Sequence, residues 1–195
     1  MIGRSVRELA VGQVAELTRE VTPGLVRAFL EATGDENPLH SDPAFAAATR
    51  FGGVVVPGML TGSLISAVIG TRLPGPGTVY VSQDLRFRRP VALGDVVTAR
   101  VEVTRLVPER NRVCLRTTCT NQHGEVVLEG EAWVLPPRAR VEYRVPGARS
   151  PLALAWTPAT LGARLVAAWA TRACTLARHA LDLGRRAPPT APASA

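Results

Sequence analysis

Apolar residues recur along this chain at two periods, and the change from one to the other outlines a fold. Residues 13–21 (Gln-Val-Ala-Glu-Leu-Thr-Arg-Glu-Val) alternate loosely and predict a strand. Thr22-Pro23 then supplies an N-cap and a proline at the first helical position. Leu25, Val26, Phe29 and Leu30 form the apolar stripe of a helix that ends near Gly34. Residues 34–44 carry loop chemistry throughout, and a short helix over 44–49 and a glycine-rich apolar loop follow. Met59 to Ile69 holds no charge, the mark of a helix buried in a core. After the break at Leu73-Pro-Gly-Pro-Gly77 the period becomes two. Val97, Ala99, Val101 and Val103 share one face of a strand, with Thr98, Arg100, Glu102 and Thr104 on the other. Val113, Leu115, Thr117 and Cys119 repeat the pattern, Asn121-Gln-His-Gly124 turns the chain, and Val126–Val134 returns. The order is strand, short helices, one long buried helix, then four antiparallel strands. With only one apolar helix to cover it, such a sheet must wrap around that helix, an α+β arrangement. Pro136-Pro137 closes this domain at residues 1–137.

Residues 138–195 read as a separate tail. Thr157-Pro158 caps a second helix running to about Leu183, with Leu161, Leu165, Val166, Trp169 and Leu176 on its apolar side, and the Pro- and Ala-rich end predicts disorder. Charge sharpens the division. The net +7 comes with no Lys at all: residues 1–137 hold 14 Arg against 14 acids, and residues 138–195 hold 9 Arg against 2. The basic character therefore belongs to the tail, and it says nothing for nucleic acid binding by the first domain. An amphipathic basic helix suits docking on a surface or partner, or packing back on its own assembly.

The N-terminus has charges and no apolar core of a signal peptide. The 21 uncharged residues between Arg50 and Arg72 are cut by Pro57 and five glycines, too broken for a transmembrane span. Cys114, Cys119 and Cys174 are too few and scattered for a disulfide framework or a zinc site, and idle thiols fit a reducing, cytoplasmic setting. Cys114 and Cys119 lie five apart in one strand, so they face opposite ways.

Chemistry concentrates in Gly34-Asp35-Glu36-Asn37-Pro38-Leu39-His40. The Asn-Pro step bends the chain, so that Asp35 and His40 reach one cavity from opposite sides. Two groups able to exchange protons near neutral pH suit adding or removing water across a double bond, and the Asn37 amide can orient a water. Asp-x-Asn-Pro is equally an ordinary turn, and a loop His is ordinarily solvated. Pro57-Gly58-Met59 opens the buried helix, where unpaired N–H groups and the helix dipole would polarise a thioester carbonyl. Gly58 equally serves a tight turn alone.

The run Phe29-Leu-Glu-Ala-Thr-Gly-Asp35-Glu-Asn37-Pro38-Leu-His40, followed by Ala46, resembles the motif of the MaoC-like, (R)-specific enoyl-CoA hydratases of the hot-dog fold. The resemblance continues through Phe51, Gly58-Met59-Leu60, Ser63-Leu64, Leu73–Gly77, Tyr80 and Gln83–Asp95, and covers residues 5–136. The stretch from Leu73 to Asp95, with Thr120–Glu125, looks closest to the hydratase domain fused to phosphate acetyltransferase in some bifunctional enzymes. The resemblance implies that Asp35 and Asn37 hold and activate water for attack at C3, and that His40 shares that water and delivers a proton to C2. It implies that the Gly58 N–H binds the thioester oxygen and that Ser66 lies near the acyl pocket. It further implies a homodimer, an (R)-3-hydroxyacyl-CoA product by syn addition, a coenzyme A thioester as substrate, and no metal or organic cofactor. Pro57 stands where many members have His, and Ala32 where a larger aliphatic is usual. Arg86, Arg88 and Arg89 offer guanidinium forks for a CoA phosphate, or simply a solvated strand face. Carrier-protein dehydration, thioester hydrolysis and a non-catalytic docking role remain alternatives.

Overall fold

In the computed structural model, which describes residues 1–144, the switch of period becomes a sheet curled around one helix. In chain order the elements are β1 (Ile2–Gly3), β2 (Val14–Glu20), α1 (Pro23–Thr33), α2 (Pro38–Ser41), α3 (Pro43–Ala47), α4 (Gly58–Thr71), β3 (Val79–Phe87), β4 (Val96–Val107), β5 (Arg112–Thr120), β6 (Val126–Leu135) and β7 (Val141–Glu142). The main sheet is antiparallel with strand order β2-β4-β5-β6-β3. Its concave face presents Val97, Ala99, Val101 and Val103 from β4, Val113, Leu115 and Cys119 from β5, and Leu128, Ala132 and Val134 from β6, all buried. Against them α4 buries Leu60, Leu64, Ile65, Val68 and Ile69. A helix enclosed on this many sides needs no polar face, which is why the stretch carries no charge. The α+β hot-dog arrangement expected from the pattern is the one observed.

Two local features depart from the sequence reading. Residues 34–44 hold a one-turn helix at Pro38–Ser41 instead of continuous loop, because Pro38 occupies the first helical position behind an Asn37 cap; the short helix expected over 44–49 is present and starts at Pro43, behind Asp42. The first compact unit also runs past Pro137 to Pro146. There β7 pairs with β1, and the Met1 ammonium donates to the Tyr143 carbonyl at 2.7 Å. Arg140 reaches Glu8 at 3.0 Å and thereby pulls the Glu8 carboxyl below its ordinary range, behind the stronger effect of the Ser5 backbone and hydroxyl hydrogen bonds. Two-residue strands carry no periodicity, so only the closed chain reveals this pairing. The tail helix, its docking role, Cys174 and His179 lie outside the described residues.

Cys114 and Cys119 do face opposite ways, and both are buried. Cys119 points into the core. Cys114 lies on the outer face between its ladder partners Arg105 and Trp133, which stack across it at 4.5 Å. Burial pushes the Cys119 thiol up to about 12. The unfolded chain gives up this proton near its ordinary 9.0, whereas the folded one holds it. The fold therefore binds more protons than the coil between those values, and stability falls as pH rises through that window. The gap in urea midpoint between the protein and Cys119→Ala should be flat below pH 9 and shrink above it. A gap independent of pH up to 11 would contradict this.

Candidate active site

The turn after α1 is built by its own side chains. Gly34 ends the helix in the left-handed region at φ 68°, and its N–H bonds the Leu30 carbonyl. Asp35 follows at once, half-buried, and its Oδ1 accepts from the Asn37 N–H at 3.0 Å. Asn37 Oδ1 accepts from Leu39 N–H at 3.1 Å and so caps α2. Its Nδ2 remains as a donor. This one-turn helix places His40, whose Nδ1 lies 2.6 Å from the Val55 carbonyl. A carbonyl only accepts, so Nδ1 carries the proton, and in the neutral ring Nε2 is left as the base. A backbone bond from Val55 N–H to the Leu39 carbonyl, 3.2 Å, ties the two loops together.

His40 and Gly58 line one open cleft of about 350 Å³, with Phe87, Arg88 and Arg89 on its opposite wall. Gly58 begins α4, where Pro57 provides no side-chain cap, so the first N–H groups are left to the cleft. Its lack of a side chain has a second reason that the sequence did not show. A Cβ there would sit 2.8 Å from the Phe87 ring, which lies against the helix start. Asp35 and Asn37 do not line this cleft; they stand beside it in the turn that carries His40.

Ser66 borders a second cavity of about 520 Å³ farther along α4, walled by Phe29, Met59, Leu85 and Tyr80. Both cavities lie along the seam between α4 and β3. Burial pushes the Tyr80 phenol up, and the neighbouring Ser66 hydroxyl offsets part of that rise.

The three arginines part company. Arg86 points to the outer face and pairs with Asp84 at 3.0 Å, away from the cleft. This corrects its grouping with Arg88 and Arg89: alternation along β3 turns it outward, whereas the chain leaves the strand at Phe87 and carries the other two around its end. Arg88 bonds Glu129 at 2.6 Å and Arg89 reaches Glu125 at 3.4 Å. His123 sits in the exposed β5–β6 turn, and Asp95 closes the turn before β4 by accepting from Ala92 N–H at 2.9 Å. Sequence reasoning gave no site role to Arg50 or Phe51, which also line the cleft. A signal existed: Arg50 is the single charge between Asp42 and Arg72. Among the described residues, no three His, Cys, Asp or Glu side chains cluster as metal ligands, and no helix is long and apolar enough to cross a membrane.

The geometry has known counterparts. Residues 8–124 match the model of the MaoC like domain family. Over 131 residues the chain is 51% identical to a 3-hydroxybutyryl-CoA dehydratase of Methylorubrum extorquens, covering 67% of this chain and 83% of that protein. It is 45% identical to an (R)-specific enoyl-CoA hydratase of Aeromonas caviae over 133 residues, 68% of this chain and 99% of that one. The solved structure of an unliganded R-hydratase from Pseudomonas aeruginosa superposes with a TM-score of 0.69 at 43% identity, covering 76% of this chain and 97% of that chain. By the match across most of its first unit and by its helix-in-sheet architecture, this chain belongs to the MaoC-like hydratase and dehydratase family.

Proposed function

We propose that the protein adds water to trans-2-enoyl-CoA, or removes it from the (R)-3-hydroxyacyl-CoA, with Asp35 and His40 as the proton-transfer pair. The observation that carries this reading is the shared cleft. Its lining includes both His40, whose Nε2 has no partner among the described residues, and Gly58, where α4 begins without a side-chain cap. In the hydration direction, Asp35 and His40 take a proton from water as its oxygen bonds to C3. The C2–C3 electron pair moves into the thioester, and its developing oxyanion is held at the Gly58 N–H. A proton returned from the same side to C2 restores the carbonyl and gives syn addition. Asn37 Nδ2 orients the water, and the apolar cavity beside Ser66 takes the acyl chain. None of these steps calls for a metal or an organic cofactor.

The test is loss of enoyl absorbance from crotonyl-CoA, with the product's configuration determined. Formation of (R)-3-hydroxybutyryl-CoA supports the reading; release of free thiol would point to a thioesterase, and activity only on carrier-bound chains to a carrier-protein dehydratase.

A homodimer joined along β3 belongs to the same proposal. The two sheet edges differ in kind. β2 exposes Glu16, Arg19 and Glu20 with Val14 as its one exposed large apolar residue, whereas the first half of β3, ahead of the Asp84–Arg86 pair, exposes Val79 by 59% and Val81 by 42%. Met59 and Phe87 add exposed apolar surface beside it. Val79→Glu/Val81→Glu should shift the elution volume from dimer to monomer. A double variant that still elutes as the parent does would place the contact elsewhere.

A further inference from the structure

We infer that Arg50, held by Phe51 at the mouth of the cleft, is the phosphate-reading residue that makes this site select a CoA thioester over one without the nucleotide. The inference rests on the proposed hydratase reading and names the feature of the substrate that lies outside the reacting acyl group. Three guanidiniums line the cleft that holds His40: Arg50, Arg88 and Arg89. Two of them are already engaged, Arg88 by Glu129 and Arg89 by Glu125. A phosphate that approached either would compete with a resident carboxylate. Among the described residues, Arg50 has no carboxylate within ion-pairing distance. Its guanidinium lies over the Phe51 ring, 4.8 Å from the centroid. This cation–π contact steadies the guanidinium without using its N–H donors, which are left to bind a phosphate.

The turn that presents the pair is firmly anchored. Thr49 Oγ1 donates to the Ala46 carbonyl at 2.7 Å and accepts from Phe51 N–H at 3.3 Å. Ala46 is fully buried, so the turn is seated on the core. Gly52 at φ 68° then reverses the chain. An exposed charge with no carboxylate partner among the described residues, set on a braced turn in the lining of this cleft, fits the negatively charged end of a ligand whose acyl end lies toward His40. In a CoA thioester that end is the phosphorylated adenosine; a pantetheine thioester lacks it.

The test compares crotonyl-CoA with crotonyl-pantetheine on the full chain and on Arg50→Gln, Arg50→Lys and Arg88→Gln. Calorimetric binding of free CoA and free pantetheine runs alongside. Arg50→Gln should raise KM for crotonyl-CoA about tenfold, the scale of one charge-assisted hydrogen bond, with kcat little changed. KM for crotonyl-pantetheine should stay at the parent value. Arg50→Lys should recover part of the loss, and Arg88→Gln should raise KM less than Arg50→Gln. The difference between the two substrates should shrink as salt is raised. Equal losses on both substrates would assign Arg50 a structural role and overturn the inference, as would no change on either. Should the parent protein bind CoA but hydrate nothing, a tenfold weaker binding of CoA to Arg50→Gln would uphold Arg50 while the hydratase reading fails. Hydration by the parent with CoA affinity unmoved by Arg50→Gln would do the reverse.

Discussion

Asp35→Asn and His40→Asn should each lower kcat for crotonyl-CoA hydration about a thousandfold, the middle of the range for removing a positioned acid or base. Both substitutions are chosen to leave the turn intact. Asn at 35 keeps an Oδ1 to accept from the Asn37 N–H, the bond that sets the turn at 3.0 Å, and loses only the carboxylate's basicity. Asn at 40 keeps an N–H able to reach the Val55 carbonyl, now 2.6 Å from Nδ1, and loses the nitrogen at Nε2. Melting temperatures should therefore stay near the parent's while activity collapses. If either variant kept more than a tenth of the parent kcat with an unchanged melt, that residue would not be the proton carrier. The double variant should lose little more than either alone, because one proton path needs both members.

Gly130→Ala carries the largest expected cost in stability. Gly130 lies on the concave face of β6, opposite Leu85 of β3 and Thr117 of β5. A Cβ there would sit 1.8 Å from the Asp84 carbonyl oxygen and 2.8 Å from its carbon. Backbone atoms of a paired strand cannot swing aside as a side-chain end does, so β3 must separate from β6. The vacancy also serves as a passage. Through it Gln83 Nε2, on β3, reaches Thr117 Oγ1 at 3.1 Å on β5, past the strand between them. That bond satisfies a hydroxyl whose residue is 0% exposed, and losing it would leave a buried polar group bare. A loss of about 3 kcal/mol or more is expected, roughly 10 °C in melting temperature for a domain of this size. A melt within 2 °C or so of the parent's would show that β3 adjusts without cost. Since β3 also walls both cavities, catalytic activity should fall with the fold.

Much of this architecture was open to inspection in the chain. The switch from helical to strand period, Thr22-Pro23 with Gly34 around α1, and the uncharged run of α4 each follow from local rules that act within a few residues. The inward and outward sets of β4 came out as read, because alternation is a property of a single strand. The bonds of the Asp35–His40 turn were also legible, since they join residues two apart, but the cavity expected to receive both side chains is lined by His40 and not by Asp35, because which side chains line a cleft depends on the segments packed across it.

What the chain could not declare depends on contacts between distant segments. Nothing near Gly58 in sequence says that the Phe87 ring rests on it. Nothing near Gly130 says that an amide must pass beneath it to Thr117. The parting of Arg86 from Arg88 and Arg89 turned on where β3 stops, and a strand end is set by the neighbour it pairs with. The same holds for Arg50. Its composition marks it as a lone charge in an apolar stretch, but its role depends on which carboxylates the fold places beside Arg88 and Arg89 and not beside it. Periodicity and capping are local energies written into neighbouring residues; ion pairing and close approach are energies of position, and position exists only once the sheet has closed around its helix.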